Sequence, residues 1–122
     1  RERKSVGKER TYAHPLATEE ECLTQLRQLS QEVEVSLKRT QKHGKTIVLK
    51  MRYSDYTTVT RRVTLREPVH KKEDIFSQAS LIWEDISGVE KGIRLLGVTV
   101  TNLDPLTYEN IVLPLWKMED PF

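Results

Sequence analysis

Glu19, Glu20 and Glu21 stand in a row, three histidines (His14, His43 and His70) are spread along the chain, and Cys22 is its one cysteine. These are the side chains that could do chemistry: carboxylates for acid–base work, imidazoles and a thiolate for metal binding or nucleophilic attack. Their surroundings favour plainer roles. A run of glutamates directly after Thr18 is what the positive end of a helix attracts. The histidines are far apart and each falls at a boundary between elements, where capping or exposure accounts for it better than a metal site, which needs converging partners. Cys22 opens an apolar helical stripe and reads as a small core residue, although a helix N-terminus would lower the pKa of an exposed thiol. The five glycines are isolated, so there is no phosphate-cradling loop. No catalytic residue, no metal site and no cofactor is expected in these 122 residues.

What remains is charge. With 37% hydrophobic and 31% charged residues the chain can fill one modest core, and a lone cysteine suits a reducing compartment. No stretch is apolar for long enough to be a signal peptide or a membrane span, so a membrane is not an expected partner and a cytoplasmic location is. The formal net charge of +2 conceals a segregation. Residues 38–66 hold nine Lys or Arg against the single acid Asp55, whereas residues 18–34 hold five glutamates against Arg27. A separation of that size is the footprint of a face that binds a polyanion.

The elements that must position this charge follow from periodicity. "KSVGKERTY", residues 4–12, reads as a short strand interrupted by glycine. Thr18 with Glu21 forms a capping box, and Cys22, Leu26, Leu29, Val33 and Leu37 recur at helical spacing behind it. The expected helix runs to about His43, with Gly44 as its left-handed cap. "KTIVLKMRY" and "YTTVTRRVTL" alternate in period two and are joined at Ser54-Asp55, which predicts a tight antiparallel hairpin. Pro68 precedes a second helix with Ile75, Ala79, Ile82, Trp83 and Ile86 on one stripe, ended by Gly88. Residues 92–103, "GIRLLGVTVTNL", form a last strand.

Strand, helix, strand, strand, helix, strand is an α+β, ferredoxin-like β-α-β-β-α-β order: a four-stranded antiparallel sheet with both helices on one face. The other face is open. In that arrangement the first and third strands are central and adjacent. This would gather Ser5, Gly7, Lys8, Arg10 and Thr11 beside Thr58, Thr60, Arg61 and Arg62. Hydroxyls and glycines let a phosphate approach the backbone amides while Lys and Arg neutralise it. Few aromatics lie on these strands, which disfavours a module that stacks single-stranded bases.

The three strand motifs, in order and with helices between them, resemble the C-terminal little-finger domain of Y-family translesion DNA polymerases of the bacterial DNA polymerase IV type. The resemblance covers residues 3–103, and its last-strand signature is Ile93-Arg94 followed by Leu96-Gly97-Val98. It implies a non-catalytic domain that holds the phosphates of the template–primer duplex through Ser5, Gly7, Thr11, Thr60, Arg62, Arg94, Gly97 and Thr99. Where some relatives carry further arginines on the last strand, this chain has Leu95 and Thr99. It also implies a longer parent polymerase whose palm binds Mg2+, with residues 1–3 as the end of a linker, 4–103 as the domain and 104–122 as a tail. The alternative is a free-standing ferredoxin-like regulatory or RNA-binding module. A small hydrolase on the same fold lacks the arginine-containing phosphate loop it would need.

One further stretch stands apart. "VLPLW", residues 112–116, is greasy and aromatic-tipped in a polar tail. It is similar to the Gln-Leu-x-Leu-Phe peptides by which bacterial DNA polymerases dock on the sliding clamp. Leu113 and Leu115 take the leucine positions, Trp116 the aromatic one, and Val112 stands in place of glutamine. The sliding clamp is therefore a second expected partner beside duplex DNA.

Overall fold

The computed structural model describes residues 5–86 and 88–106. In chain order it contains β1 (Ser5–Leu16), α1 (Glu19–Thr40), β2 (Lys42–Tyr53), β3 (Thr58–Val69), α2 (Lys72–Ile86), a 3-10 turn (Val89–Lys91) and β4 (Ile93–Pro105). The expected element order and the two-layer α+β architecture are both present.

Helix α1 starts where the capping box places it. The Glu21 amide donates to Thr18 Oγ1 at 3.1 Å, while Thr18 N and Ala17 N donate to Glu21 Oε1 at 3.2 and 2.8 Å. Those two backbone donors hold the Glu21 carboxyl below the usual carboxylate range. The helix ends three residues before the expected cap. Gln41 takes the left-handed conformation (φ 60°), its amide donating to the Leu37 and Lys38 carbonyls, and β2 begins at Lys42. Gly44 is needed for a different reason. It pairs with Leu103 of β4, and a Cβ there would lie 2.6 Å from the Thr101 carbonyl oxygen. Close approach of two strands, not helix capping, requires the glycine.

The four strands lie in the order β1-β4-β2-β3, all neighbours antiparallel. The central pair is therefore β4 and β2, and the expected contact between β1 and β3 does not exist: they are the two edges. The reason lies in their side chains. Strands β2 and β4 supply Ile47, Leu49, Met51, Leu96, Val98 and Val100, all fully buried, whereas β1 and β3 are polar or exposed along most of their length. A strand with few apolar residues is best spent at an edge, where polar side chains also discourage pairing with other chains.

Both helices pack on one face of the sheet. Cys22, Leu26, Leu29, Val33 and Leu37 of α1 and Ile75, Ala79 and Trp83 of α2 close the core over the β2 and β4 side chains. Strand parity then fixes the other face. The last strand runs two residues beyond the expected boundary at 103, and the Leu106 amide donates to the Gln41 carbonyl at 2.8 Å.

Candidate nucleic-acid interface

Directly paired residues share a face, so the registers lay out the open face as four rows. They read Ser5–Thr101–Thr46–Thr64, Gly7–Thr99–Val48–Arg62, Glu9–Gly97–Lys50–Thr60 and Thr11–Leu95–Arg52–Thr58, crossing β1, β4, β2 and β3 in turn. The floor is made mostly of short hydroxyls and two glycines, with Val48 and Leu95 between them. Three cations, Lys50, Arg52 and Arg62, stand on it, with Glu9 as the one acid in those rows.

Local contacts organise the face. Lys50 Nζ lies 3.6 Å from Glu9 Oε1, reaching across Gly97, and Arg52 Nε donates to Thr58 Oγ1 at 3.0 Å. Thr46 and Thr64 hydroxyls bond at 3.1 Å, and Asn102 Nδ2 donates to Thr46 Oγ1 at 2.7 Å. Among the described residues no carboxylate pairs with Arg62. Glycine matters here for reach. A Cβ on Gly97 would stand 3.0 Å from the Glu9 Cβ, so the glycine lets the Glu9 and Lys50 side chains close over this buried point of the floor.

Of the residues the sequence singled out, Ser5, Gly7, Thr11, Thr58, Thr60, Arg62, Gly97 and Thr99 come together on this face. Three others do not. Lys8, Arg10 and Arg61 have the opposite parity and lie on the side that carries the helices. Arg10 Nη2 is 2.6 Å from Glu32 Oε2 of α1, a contact that raises its pKa, and Arg61 Nη1 is 3.0 Å from Asp85 Oδ2 of α2. Lys8 lines a groove with Gln28, Glu32 and Arg39 of α1. Adjacent basic residues were grouped by sequence alone, and a strand sends neighbours to opposite faces. Arg94 sits at the irregularity where the β2–β4 register slips between Arg52 and Tyr53, with its guanidinium carbon 5.5 Å from the Tyr56 ring centroid.

Lys50 and Arg52 join the residues of the open face, although neither is among the contacts expected from the sequence. Their alternation with Leu49 and Met51 is the signal, since buried partners of opposite parity force them onto the open face.

The remaining reactive groups are quiet. Burial pushes the Cys22 thiol up to about 11 and the Tyr12 hydroxyl up to about 12, the latter bonded to Gln25 Oε1 at 2.9 Å. Burial also lowers the pKa of His43, opposed by the nearby Asp104 carboxylate. No group of three or more His, Cys, Asp or Glu that could hold a metal ion gathers among the described residues. No described helix is long and apolar enough to cross a membrane. Val112, Leu113, Leu115 and Trp116 lie outside the described residues, as do residues 1–3.

Residues 3–113 match the model of the impB/mucB/samB family C-terminal domain. DNA polymerase IV of Listeria welshimeri is 44% identical over 113 residues, covering 93% of this chain and 32% of that protein. DNA polymerase IV of Streptococcus suis is 52% identical over 102 residues, covering 84% and 29%. The chain thus spans about a third of the length of these curated relatives. Among solved structures, a complex of a beta-clamp processivity factor with the little finger domain of PolIV matches with a TM-score of 0.66 and 29% identity, over 89% of this chain and 97% of that one. This chain belongs to the impB/mucB/samB family C-terminal domain, the little-finger domains of DNA polymerase IV and its Y-family kin.

Proposed function

We propose that the open sheet face grips the sugar-phosphate backbone of double-stranded DNA as the non-catalytic duplex-holding domain of a translesion DNA polymerase. The observation that carries this reading is the make-up of the four rows: a floor mostly of short hydroxyls and glycine, with Val48 and Leu95 among them, under Lys50, Arg52 and Arg62. Hydroxyls suit phosphate oxygens at any sequence, and the arginines add charge-assisted contacts. Contacts to phosphates carry no sequence information, so a grip of this kind is indifferent to sequence, as extension along an arbitrary template requires. Nucleotidyl transfer with Mg2+ belongs to a palm in the parent enzyme, because that chemistry needs converging carboxylates.

A second partner is the sliding clamp, held by Val112, Leu113, Leu115 and Trp116. Support comes from the leucine and aromatic spacing of residues 112–116 and from the clamp complex in which the structural relative was solved. Two leucines and a tryptophan entering a preformed groove suffice for roughly micromolar affinity after ordering costs.

Titration of a labelled duplex with the chain at increasing salt tests the first assignment. The Lys50→Ala/Arg62→Ala variant should bind every sequence more weakly and reduce the log–log salt slope by about two units, one per phosphate contact. An unchanged slope would overturn it. A peptide of residues 108–118 titrated against a bacterial sliding clamp tests the second, and loss of binding on Trp116→Ala is the expected outcome. Absence of binding at high micromolar peptide would refute clamp docking.

A further inference from the structure

Three non-glycine residues among those described have positive φ: Gln41, Tyr56 and Asn102. Two have local reasons. Gln41 caps α1, and Asn102, a residue type that tolerates this conformation, donates to Thr46. Tyr56 has none.

It occupies the tip of the β2–β3 hairpin. The Tyr56 amide donates to the Tyr53 carbonyl at 2.9 Å and the Tyr53 amide to the Thr57 carbonyl at 2.9 Å. Asp55 Oδ1 accepts from the Thr57 amide at 2.9 Å. This is a turn followed by a left-handed residue (φ 70°), the position that glycine fills in most hairpins of this kind. A bulky aromatic there strains the backbone, and its ring returns little to the fold, being 69% exposed. Strain kept by a side chain that is not packed points to a contact with something else.

The surroundings indicate what. The Arg94 guanidinium lies over the Tyr56 ring, 5.5 Å from its centroid. One face of the ring is thus backed by a cation, and with 69% of the residue exposed the other face is available. The turn is continuous with the open sheet face: Thr58, two residues on, pairs with Arg52 in the last row. If the open face holds a duplex, a strand leaving it at this end would pass this corner, where Arg52 and Arg94 stand ready for its phosphates.

We infer that Tyr56, backed by Arg94, is a stacking platform for an unpaired nucleobase at the single-strand/double-strand junction. The inference rests on the duplex-gripping reading of the open face. Stacking on a π-face tolerates every base, and a cation behind the ring adds attraction for the flanking phosphate. The platform would let a domain that cannot read sequence recognise where a duplex ends.

Three probes test it with the 122-residue chain: a blunt duplex, the same duplex with a 5′ single-stranded extension whose first unpaired base is 2-aminopurine, and that extension with an abasic site there. Wild type should bind the 2-aminopurine probe about fivefold more tightly than the abasic one and quench its fluorescence, the lower end of what one stacked base contributes. Tyr56→Phe should keep both effects. Tyr56→Gly should lose both while its melting temperature stays at or above that of wild type, which separates a lost contact from a lost fold. Equal affinity of wild type for the two extended probes, or undiminished quenching by Tyr56→Gly, would overturn the platform. Failure of wild type to bind even the blunt duplex would instead overturn the gripping face, and the platform with it.

Discussion

Arg61 and Arg62 are neighbours in sequence and belong to different regions of the molecule. Arg62 stands on the open face between Val48 of the adjacent strand and solvent, whereas Arg61 turns to the helices and meets Asp85. The same division runs through β1, where Arg10 is held by Glu32 while Gly7 and Thr11 stay on the open side. On one side of the sheet Arg10 and Arg61 pair with carboxylates of α1 and α2. On the other the basic residues meet one acid, Glu9, in four rows of paired residues. Charge segregation read along the sequence is therefore only half of the account. Parity and packing decide which cations remain available for a polyanion.

The sharpest contrast between the two faces is in stability. Leu49→Ala, at a fully buried position facing the helices, should cost about 2–5 kcal/mol. Thr60→Ala, exposed on the other side, should stay within about 0.5 kcal/mol. Urea unfolding of both variants checks this, and similar losses would mean that the open face is packed against something. The central β2–β4 seam gives the next largest effect. Gly44→Ala places a Cβ 2.6 Å from the Thr101 carbonyl oxygen, a backbone atom that cannot step aside, and should cost roughly 1–3 kcal/mol by the same assay.

Smaller, and confined to the helix-covered side, is a response to alkali. The folded state holds the Cys22 thiol near 11 and the Tyr12 hydroxyl near 12, against ordinary values of 9.0 and 10.0. Both groups are raised on folding, so their contribution is complete below the ordinary values. It is lost as pH climbs from 9.0 toward 12 and the unfolded chain ionises first. Unfolding midpoints should therefore fall with pH above 9.0, and less steeply for Tyr12→Phe. A flat alkaline limb would contradict the burial of both groups.

Much of this was legible in the sequence. The capping box at Thr18 and Glu21, the five-residue stripe of α1 and the alternation of β2 and β3 rest on local spacing, and all appear as expected. Strand order was not legible, because it depends on which strands the helices can cover best, a competition settled by the apolar content of β2 and β4. The partners of Arg10 and Arg61 lie 22 and 24 residues away, so only tertiary packing brings them together. The end of α1 was misplaced because Gly44 has two possible uses, and the needs of the β2–β4 pairing prevailed.

The proposed grip puts DNA on the open face and not on the helix-covered one. The paired variants Arg61→Ala and Arg62→Ala separate the two faces, each titrated against one duplex over a range of salt concentrations. Arg62→Ala should weaken binding and lower the log–log salt slope by about one unit, while Arg61→Ala leaves both unchanged. Equal effects of the two, or a loss confined to Arg61→Ala, would contradict the assignment of the binding face.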